Sequence, residues 1–178
     1  EIVSGTQIHK IGHSYRTFYM IEFAGINPEN GNPQFYKNDL LEDGTYSKEI
    51  TENAAEAKSI MLDKHAEPNV TGGLYNSFRY KWFDLSFLFN YQFGGFSYDT
   101  WAQKTEHGGY DMEANIPTYY ADSWKQPGDI TKYEQFYEKS SSVAMHKITN
   151  SRRLHSTDYF RLKTFTLGFT LPKQWLSS

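Results

Sequence analysis

The sequence predicts an all-β fold: antiparallel strands of a transmembrane β-barrel with long extracellular loops, forming part of a larger barrel. Two observations predict it. One is a pair of long strands with alternating apolar and polar residues, joined by a very short turn. The other is the length and polarity of the connections at the opposite ends of these strands. Short turns on one side and long loops on the other are typical of outer-membrane barrels.

Residues 83–93 carry the clearest strand pattern, because every odd position is apolar or aromatic and all the even positions except Leu88 are polar. Side chains alternate between the two faces of a strand, so one face is a continuous apolar stripe. A tilted strand of about 9–11 residues crosses the hydrocarbon core of a bilayer. Alternation by itself also fits a half-buried strand of a soluble sandwich. On the membrane interpretation, the residues that face lipid are Phe83, Leu85, Phe87, Phe89, Tyr91 and Phe93.

The preceding residues 70–80 form a second long strand, which makes an antiparallel hairpin with 83–93. Trp82 lies in the connecting turn. It fits an aromatic girdle at a membrane interface and equally an aromatic side chain folded onto a soluble core.

Further elements are predicted on either side of this hairpin. Residues 14–25 and 158–171 read as strands, and in the latter the apolar phase changes near Lys163, as a β-bulge would cause. Residues 27–33 are dense in turn-forming Asn, Pro and Gly. Residues 51–63 are the best helix candidate, with Thr51 as a possible cap.

The long connection 96–157 is polar and irregular, with short helices predicted near 118–125 and after Thr131. Connections of this length are rare in compact domains and are usually functional or disordered. Its tryptophans, Trp101 and Trp124, can stack on a sugar or another flat ligand, and anchoring of the loop is the alternative. Because the connections are short at one end of the strands and long at the other, they favour the membrane barrel over the sandwich.

Composition excludes several classes of protein. The 178 residues carry a net charge of −3, which provides no basic surface for nucleic acid. Aromatic residues make up 17% of the chain although its mean hydropathy is −0.70, as expected when each apolar residue has a polar neighbour. Cysteine is absent, the six histidines lack close metal-ligand spacing, and no catalytic motif is present. The sequence therefore predicts no enzyme, cofactor or metal site.

Nine short segments form an ordered set of motifs along the chain. They are GINP at 25–28, GNP at 31–33, GGLYNSFRY at 72–80, FDLSF at 83–87, FGG at 93–95, WKQPGD at 124–129, YFRLK at 159–163, TLGF at 166–169 and LP at 171–172. In this order they resemble the C-terminal barrel of TonB-dependent outer-membrane transporters of the SusC/RagA type. Departures from the family pattern are small: Phe160 stands where Leu is usual, Phe169 replaces Tyr, and Thr164 and Phe165 replace the usual Asn region.

The resemblance implies a barrel of 22 strands with an N-terminal plug in the bacterial outer membrane. It also implies a SusD-like surface lipoprotein as a lid, energy from TonB, and import of an oligosaccharide or peptide. Residues 1–178 would then be a partial C-terminal barrel segment, since about four long strands cannot close a barrel that needs at least eight. Residues 96–157 would be an extracellular loop in which Trp101 and Trp124 contact cargo or lid. The alternative is a soluble sugar-binding β-sandwich module.

Overall fold

The computed structural model describes residues 1–109, 113, 115–137 and 148–172. Parts of the predicted loop (110–112, 114 and 138–147) lie outside the described residues, as do the last six residues. The described part is mostly antiparallel β-structure. Its strands are β1 (Ile2–Ser4), β2 (Gln7–His9), β3 (Thr17–Ile21), β4 (Phe23–Ile26), β5 (Pro33–Tyr36), β6 (Ile50–Thr51), β7 (Ser59–His65), β8 (Val70–Tyr80), β9 (Phe83–Phe93), β10 (Phe96–Tyr98), β11 (Leu154–Ser156) and β12 (Tyr159–Phe169).

The sheet with the most residues consists of the three eleven-residue strands in the order β12-β9-β8. Strands β8 and β9 pair without interruption from Val70 opposite Phe93 to Tyr80 opposite Phe83. The connection is the predicted two-residue turn, in which Lys81 has a φ of 52° and Trp82 is partly exposed. The predicted all-β fold and its central hairpin are confirmed.

The predicted change of phase in the last strand is a β-bulge. The register between β12 and β9 shifts between Leu162 and Thr164. Leu162 lies opposite Phe89 and Phe165 lies opposite Phe87, so apolar residues on both sides of the bulge share one face of the sheet. Without the extra residue, half of the strand would present its apolar side chains to the other face.

This shared face, which we call the apolar face, is not covered by any described part of the chain. Phe78 is 56% exposed and Leu167 is 65% exposed. Aromatic rings contact each other across the strands, with Phe89 stacked on Phe160 at 4.8 Å between ring centroids. The opposite face is mainly polar and also open, so the sheet has no core of its own. The other large exposed side chains on the apolar face are Val70, Leu74, Tyr80, Phe83, Phe93, Phe160, Leu162, Phe165 and Phe169.

Two smaller sheets contain the buried cores. One has the order β1-β2-β3-β7, and its Phe18 and Met20 pack with Leu154. The other has the order β4-β5-β6, and its Phe35 packs with Ala57. The predicted single strand 14–25 is therefore wrong in two respects. It begins at Thr17 rather than Ser14, and it is divided at Glu22 into β3 and β4, which belong to different sheets.

The helix predicted over residues 51–63 is wrong. Thr51 ends strand β6, a turn follows, and Ser59–His65 forms strand β7 against β3. The turn is set by local side-chain hydrogen bonds, since Thr51 Oγ1 accepts from the Asn53 amide and Asn53 Oδ1 accepts from the Ala55 amide. Such bonds compete with helix formation. Ile60 is buried by pairing with a partner strand some forty residues away, which helical spacing of apolar residues does not reveal.

The long connection is closed at its base by a two-stranded sheet of β10 and β11. Helix α1 (Thr100–Thr105) follows β10, with Asp99 Oδ1 accepting from the Ala102 amide as the N-cap. The helix predicted near 118–125 is a 3₁₀ turn at Thr118–Asp122, whereas the described residues 131–137 are not helical. Another 3₁₀ turn, Ser151–Arg153, precedes β11. Within the described ranges, no helix is both long and apolar enough to span a membrane.

Candidate functional site

A buried cluster of charges joins the segments of the long connection. The Arg152 guanidinium donates through Nη1 to Glu134 and through Nη2 to Glu106, the latter at 3.1 Å. These three side chains are less than a tenth exposed. The guanidinium carbon also lies 4.9 Å from the ring of Tyr133 and 5.8 Å from that of Phe23. Burial by itself would lower the pKa of Arg152, but the two carboxylates outweigh it and raise the pKa.

Glu106 is fully engaged by this cluster. Its Oε1 accepts from the Tyr119 hydroxyl at 3.1 Å, and Arg153 Nε lies 3.4 Å from its Oε2. Burial and the charge of Glu106 raise the pKa of Tyr119 to about 12. Tyr120 is buried, and burial together with the neighbouring Glu134 raises its pKa well above the ordinary value. Both tyrosines are therefore neutral at physiological pH, and Tyr119 donates its hydroxyl to Glu106.

A cavity of about 490 Å³ lies between this cluster and strand β4. Its floor is largely apolar, from Phe23 and Ile26. Its opposite wall carries the cluster, and exposed Lys132 and His155 also line it. The remaining lining residues are Gly25, Glu106, Thr131, Tyr133, Arg152 and Arg153.

A second set of contacts holds the turn 27–33 against the long connection. The Trp124 ring covers Gly31, and its Nε1 donates to the Pro28 carbonyl at 2.8 Å. The Gly128 amide donates to the same carbonyl, and the Gln135 amide donates to the Gly31 carbonyl. We call these contacts the Trp124 latch. With the Arg152 cluster, the latch ties together the two chain segments that flank the cavity.

Glu52 also stabilises the turn 27–33, through hydrogen bonds that are separate from those of the Trp124 latch. Its carboxylate accepts from three side-chain amides, those of Asn27, Asn30 and Asn32. Partial burial acts to raise the pKa of Glu52, but the three amide hydrogen bonds outweigh it and lower the pKa below the ordinary value. The charged form of Glu52 is therefore the one that stabilises the turn.

The lowered pKa of Glu52 predicts that the turn 27–33 becomes less stable in acid. A carboxyl with a lowered pKa contributes stability that is complete above its unfolded pKa, roughly 4.3, and that is lost as the pH falls through the folded value. We expect amide hydrogen exchange of residues 27–33 in the complete protein to become faster, after correction for intrinsic rates, as the pH falls below about 4. Glu52→Gln should remove this pH dependence, whereas Glu29→Gln, an exposed change in the same turn, should retain it. Equal behaviour of the two variants would contradict the role of Glu52.

A second prediction concerns the close approach of Trp124 to Gly31. Gly31 has a φ of +71°, and a Cβ there would lie 2.5 Å from the indole ring. Gly31→Ala should therefore cost about 1–3 kcal/mol from overpacking in addition to backbone strain. Gly44 is the matched control, since it has a φ of +81° and no atom would lie within 4 Å of an added methyl group.

Limited proteolysis of the complete protein measures this effect at the loops. Gly31→Ala should speed cleavage within residues 115–137, and Gly44→Ala should not. When Trp124 is already replaced by Ala, the indole ring that the new methyl group would meet is absent. Gly31→Ala should then cost only the free energy of its backbone strain. An undiminished added effect of Gly31→Ala in that background would rule out the proposed clash.

The predicted ligand tryptophans lie apart from the cavity. Trp101 is on α1, 74% exposed, with the Lys104 ammonium 5.5 Å from its ring centroid. Trp124 is half-buried in the latch. Contact with cargo or lid stays a prediction for both. The predicted lipid-facing residues Phe83, Leu85, Phe87, Phe89, Tyr91 and Phe93 all lie on the apolar face, and their contact with lipid stays a prediction too.

The sequence reasoning missed the Arg152 cluster. Its members come from three segments of a polar connection in which charged residues are common, so no spacing singles them out. One signal in the sequence could have indicated it. Arg152 and Arg153 are adjacent and lie between the apolar residues Ile148 and Leu154, and a basic pair that is buried beside core residues needs buried partners of opposite charge. No group of three or more metal-binding side chains occurs among the residues that the structure describes.

The long paired strands and the open apolar face match the pattern predicted for a segment of an outer-membrane barrel. No family model matches the chain. It is similar to the TonB-dependent receptor P39 of Formosa agariphila, with 32% identity over 106 residues, which cover 60% of this chain and 10% of the receptor.

Solved structures extend the likeness to nearly the whole chain. The RagAB peptide transporter matches with a TM-score of 0.70 and 25% identity over 89% of this chain and 17% of the matched one. The RagAB peptide importer in its open-open state matches with a TM-score of 0.72 and 23% identity over 99% of this chain and 18% of the other. The resemblance to a barrel segment of the SusC/RagA type is confirmed, and the chain spans less than a fifth of the length of the proteins it matches.

Proposed function

We propose that this chain forms strands and outer loops of a TonB-dependent transporter in the bacterial outer membrane, which imports glycan or peptide nutrients. The apolar face is the observation that carries the proposal. It presents large side chains from three long strands, uncovered by any described part of the chain, at a length that spans a bilayer core. Lipid is the environment that satisfies such a face, while hydrogen bonds between strands satisfy the backbone.

The rest of the proposed arrangement follows from this orientation. The polar face, with Asp84, Ser86, Asn90 and Gln92 on the central strand, would line the barrel interior or contact a plug. Residues 96–157 would lie outside the cell, where they meet cargo and a SusD-like surface lipoprotein. TonB would act through parts of the transporter other than this chain. The proposed role is transport rather than catalysis, in keeping with matched proteins named as a receptor and as transporters.

The sugar-binding β-sandwich is the competing class. A sandwich requires a second sheet packed on the apolar face about 10 Å away. The exposure of Phe78, Phe165 and Leu167 argues against that arrangement. Transport is therefore the function that the sheet supports better.

Fractionation of source cells tests the proposal, with an antibody raised against residues 115–137. We expect the antigen in the outer-membrane fraction as a band far larger than 20.7 kDa, and faster migration of unboiled samples, which reports a folded barrel. Deletion of the gene should abolish growth on the imported nutrient. A soluble band at 20.7 kDa would overturn the transporter and leave the binding module.

A further inference from the structure

The cavity between strand β4 and the Arg152 cluster has the chemistry of an anion site. Three of its lining residues carry positive charge, namely Lys132, Arg152 and Arg153. Two carboxylates oppose them, Glu106 in the lining and Glu134 behind Arg152. These five groups therefore sum to one positive charge, although the whole chain has a net charge of −3.

Arg152 and Arg153 neutralise these two carboxylates. Both oxygens of Glu106 are occupied, one by the Tyr119 hydroxyl and the other by the guanidinium groups of Arg152 and Arg153. Glu134 is completely buried against Arg152. The two carboxylates offset the charges of Arg152 and Arg153, so the net field at the cavity is about that of one positive charge.

Lys132 supplies the uncompensated charge. Its side chain is exposed and lines the cavity, and within the described part of the chain no carboxylate oxygen lies within 4 Å of its ammonium. The exposed His155 lines the same cavity and adds an imidazole that can donate a hydrogen bond. The apolar floor of Phe23 and Ile26 lowers the local dielectric and so strengthens attraction to an anion.

The surrounding contacts keep the cavity preformed. The Trp124 latch holds the turn that follows β4, and the Arg152 cluster holds the segment that carries Lys132 and Tyr133. A site whose walls are fixed before binding loses less conformational entropy when a ligand enters.

We infer that this cavity binds a carboxylate group of the imported nutrient, with Lys132 as the residue that selects for the negative charge. The inference rests on the proposed transport function and adds to it the chemical class of the cargo. A peptide with a free C-terminus and an oligosaccharide of uronic acids both carry this group, and the test distinguishes them.

The test measures binding to the complete protein purified in detergent. Two matched pairs of probes are used: an octapeptide with neutral side chains as its C-terminal acid or amide, and trigalacturonate or its methyl ester. Wild-type protein should bind the acid of one pair about tenfold more tightly than its neutral counterpart, as a charge-assisted hydrogen bond would produce. The pair that shows the preference identifies the source of the carboxylate.

Lys132→Gln should abolish this preference, so that the acid and its neutral counterpart bind with equal affinity. Lys125→Gln is the control, since Lys125 is an exposed lysine of the same segment that does not line this cavity. The inference is overturned if wild-type protein prefers neither acid, if Lys132→Gln retains the preference, or if both variants reduce it equally. Nutrient uptake by cells is measured separately and tests the transport function. Normal uptake without a preference for either acid would overturn only the carboxylate site, whereas loss of uptake would overturn the transport function itself.

Discussion

Phe87→Arg in the complete protein is expected to destabilise the folded barrel by about 2–4 kcal/mol, because it places a charge on the apolar face near the middle of an eleven-residue strand. Phe87 lies opposite Phe165 on one side and Asn76 on the other, and its ring contacts those of Phe78 and Phe89. If this face meets lipid, neither neighbouring strand offers arginine a counter-charge, and the bilayer core offers no water. Urea unfolding of the protein reconstituted in vesicles measures the change.

The neighbouring Ser86→Arg is the matched control. Ser86 is on the polar face, between Ser77 and Thr166, and the two variants introduce the same charge at the same depth. We expect it to be tolerated much better, since the proposed interior of the barrel is polar. Equal losses from the two changes would argue against the assignment of lipid-facing residues. A larger loss from Ser86→Arg would reverse the orientation of the sheet.

The second large effect is expected at the buried charge cluster, where Arg152→Ala should cost about 3–5 kcal/mol. Arg152 is the hydrogen-bond donor to both Glu134 and Glu106. Its removal takes the arginine from the completely buried Glu134, while Glu106 keeps only Tyr119 and Arg153. The segments of the long connection should then open locally before strands β8 and β9 unfold. Hydrogen exchange of residues 115–137, compared with that of β8 and β9, measures this loss of local stability.

A surface ion pair provides the comparison for this prediction. Lys48 Nζ lies 2.6 Å from Glu22, but the lysine is more than half exposed. Lys48→Ala should therefore cost about 0–1 kcal/mol. Arg152→Lys separates charge from geometry, since lysine keeps the charge but cannot bridge two carboxylates with a planar fork. A cost for Arg152→Ala no larger than that for Lys48→Ala would show that the cluster does not hold the loops.

The central sheet could be read from the sequence because its determinants are local. Alternation in 83–93 defines which residues share a face, and the two residues between the strands define the hairpin register. The change of phase near Lys163 even indicated the bulge. All of these features depend on neighbours within a few positions along the chain.

Other elements could not be predicted in this way because distant partners decide them. Residues 59–65 are a strand since β3 offers them an edge, although their apolar spacing also fitted a helix. The latch joins Trp124 to Pro28 across 96 positions, and the cluster joins Glu106 to Arg152 across 46. A tryptophan in a polar connection has the same local sequence pattern whether it anchors the loop or binds a ligand.

The sequence by itself determined the fold class, the apolar stripe and the resemblance to the SusC/RagA type, since strand periodicity and ordered motifs are properties of consecutive residues. Only the tertiary structure decided which faces remain open, where the loops are tied together, and that a cationic cavity lies between them. The physical reason is that burial and the pairing of charges depend on distances through space. Glu106, Glu134 and Arg152 acquire their chemistry only when folding removes them from water together.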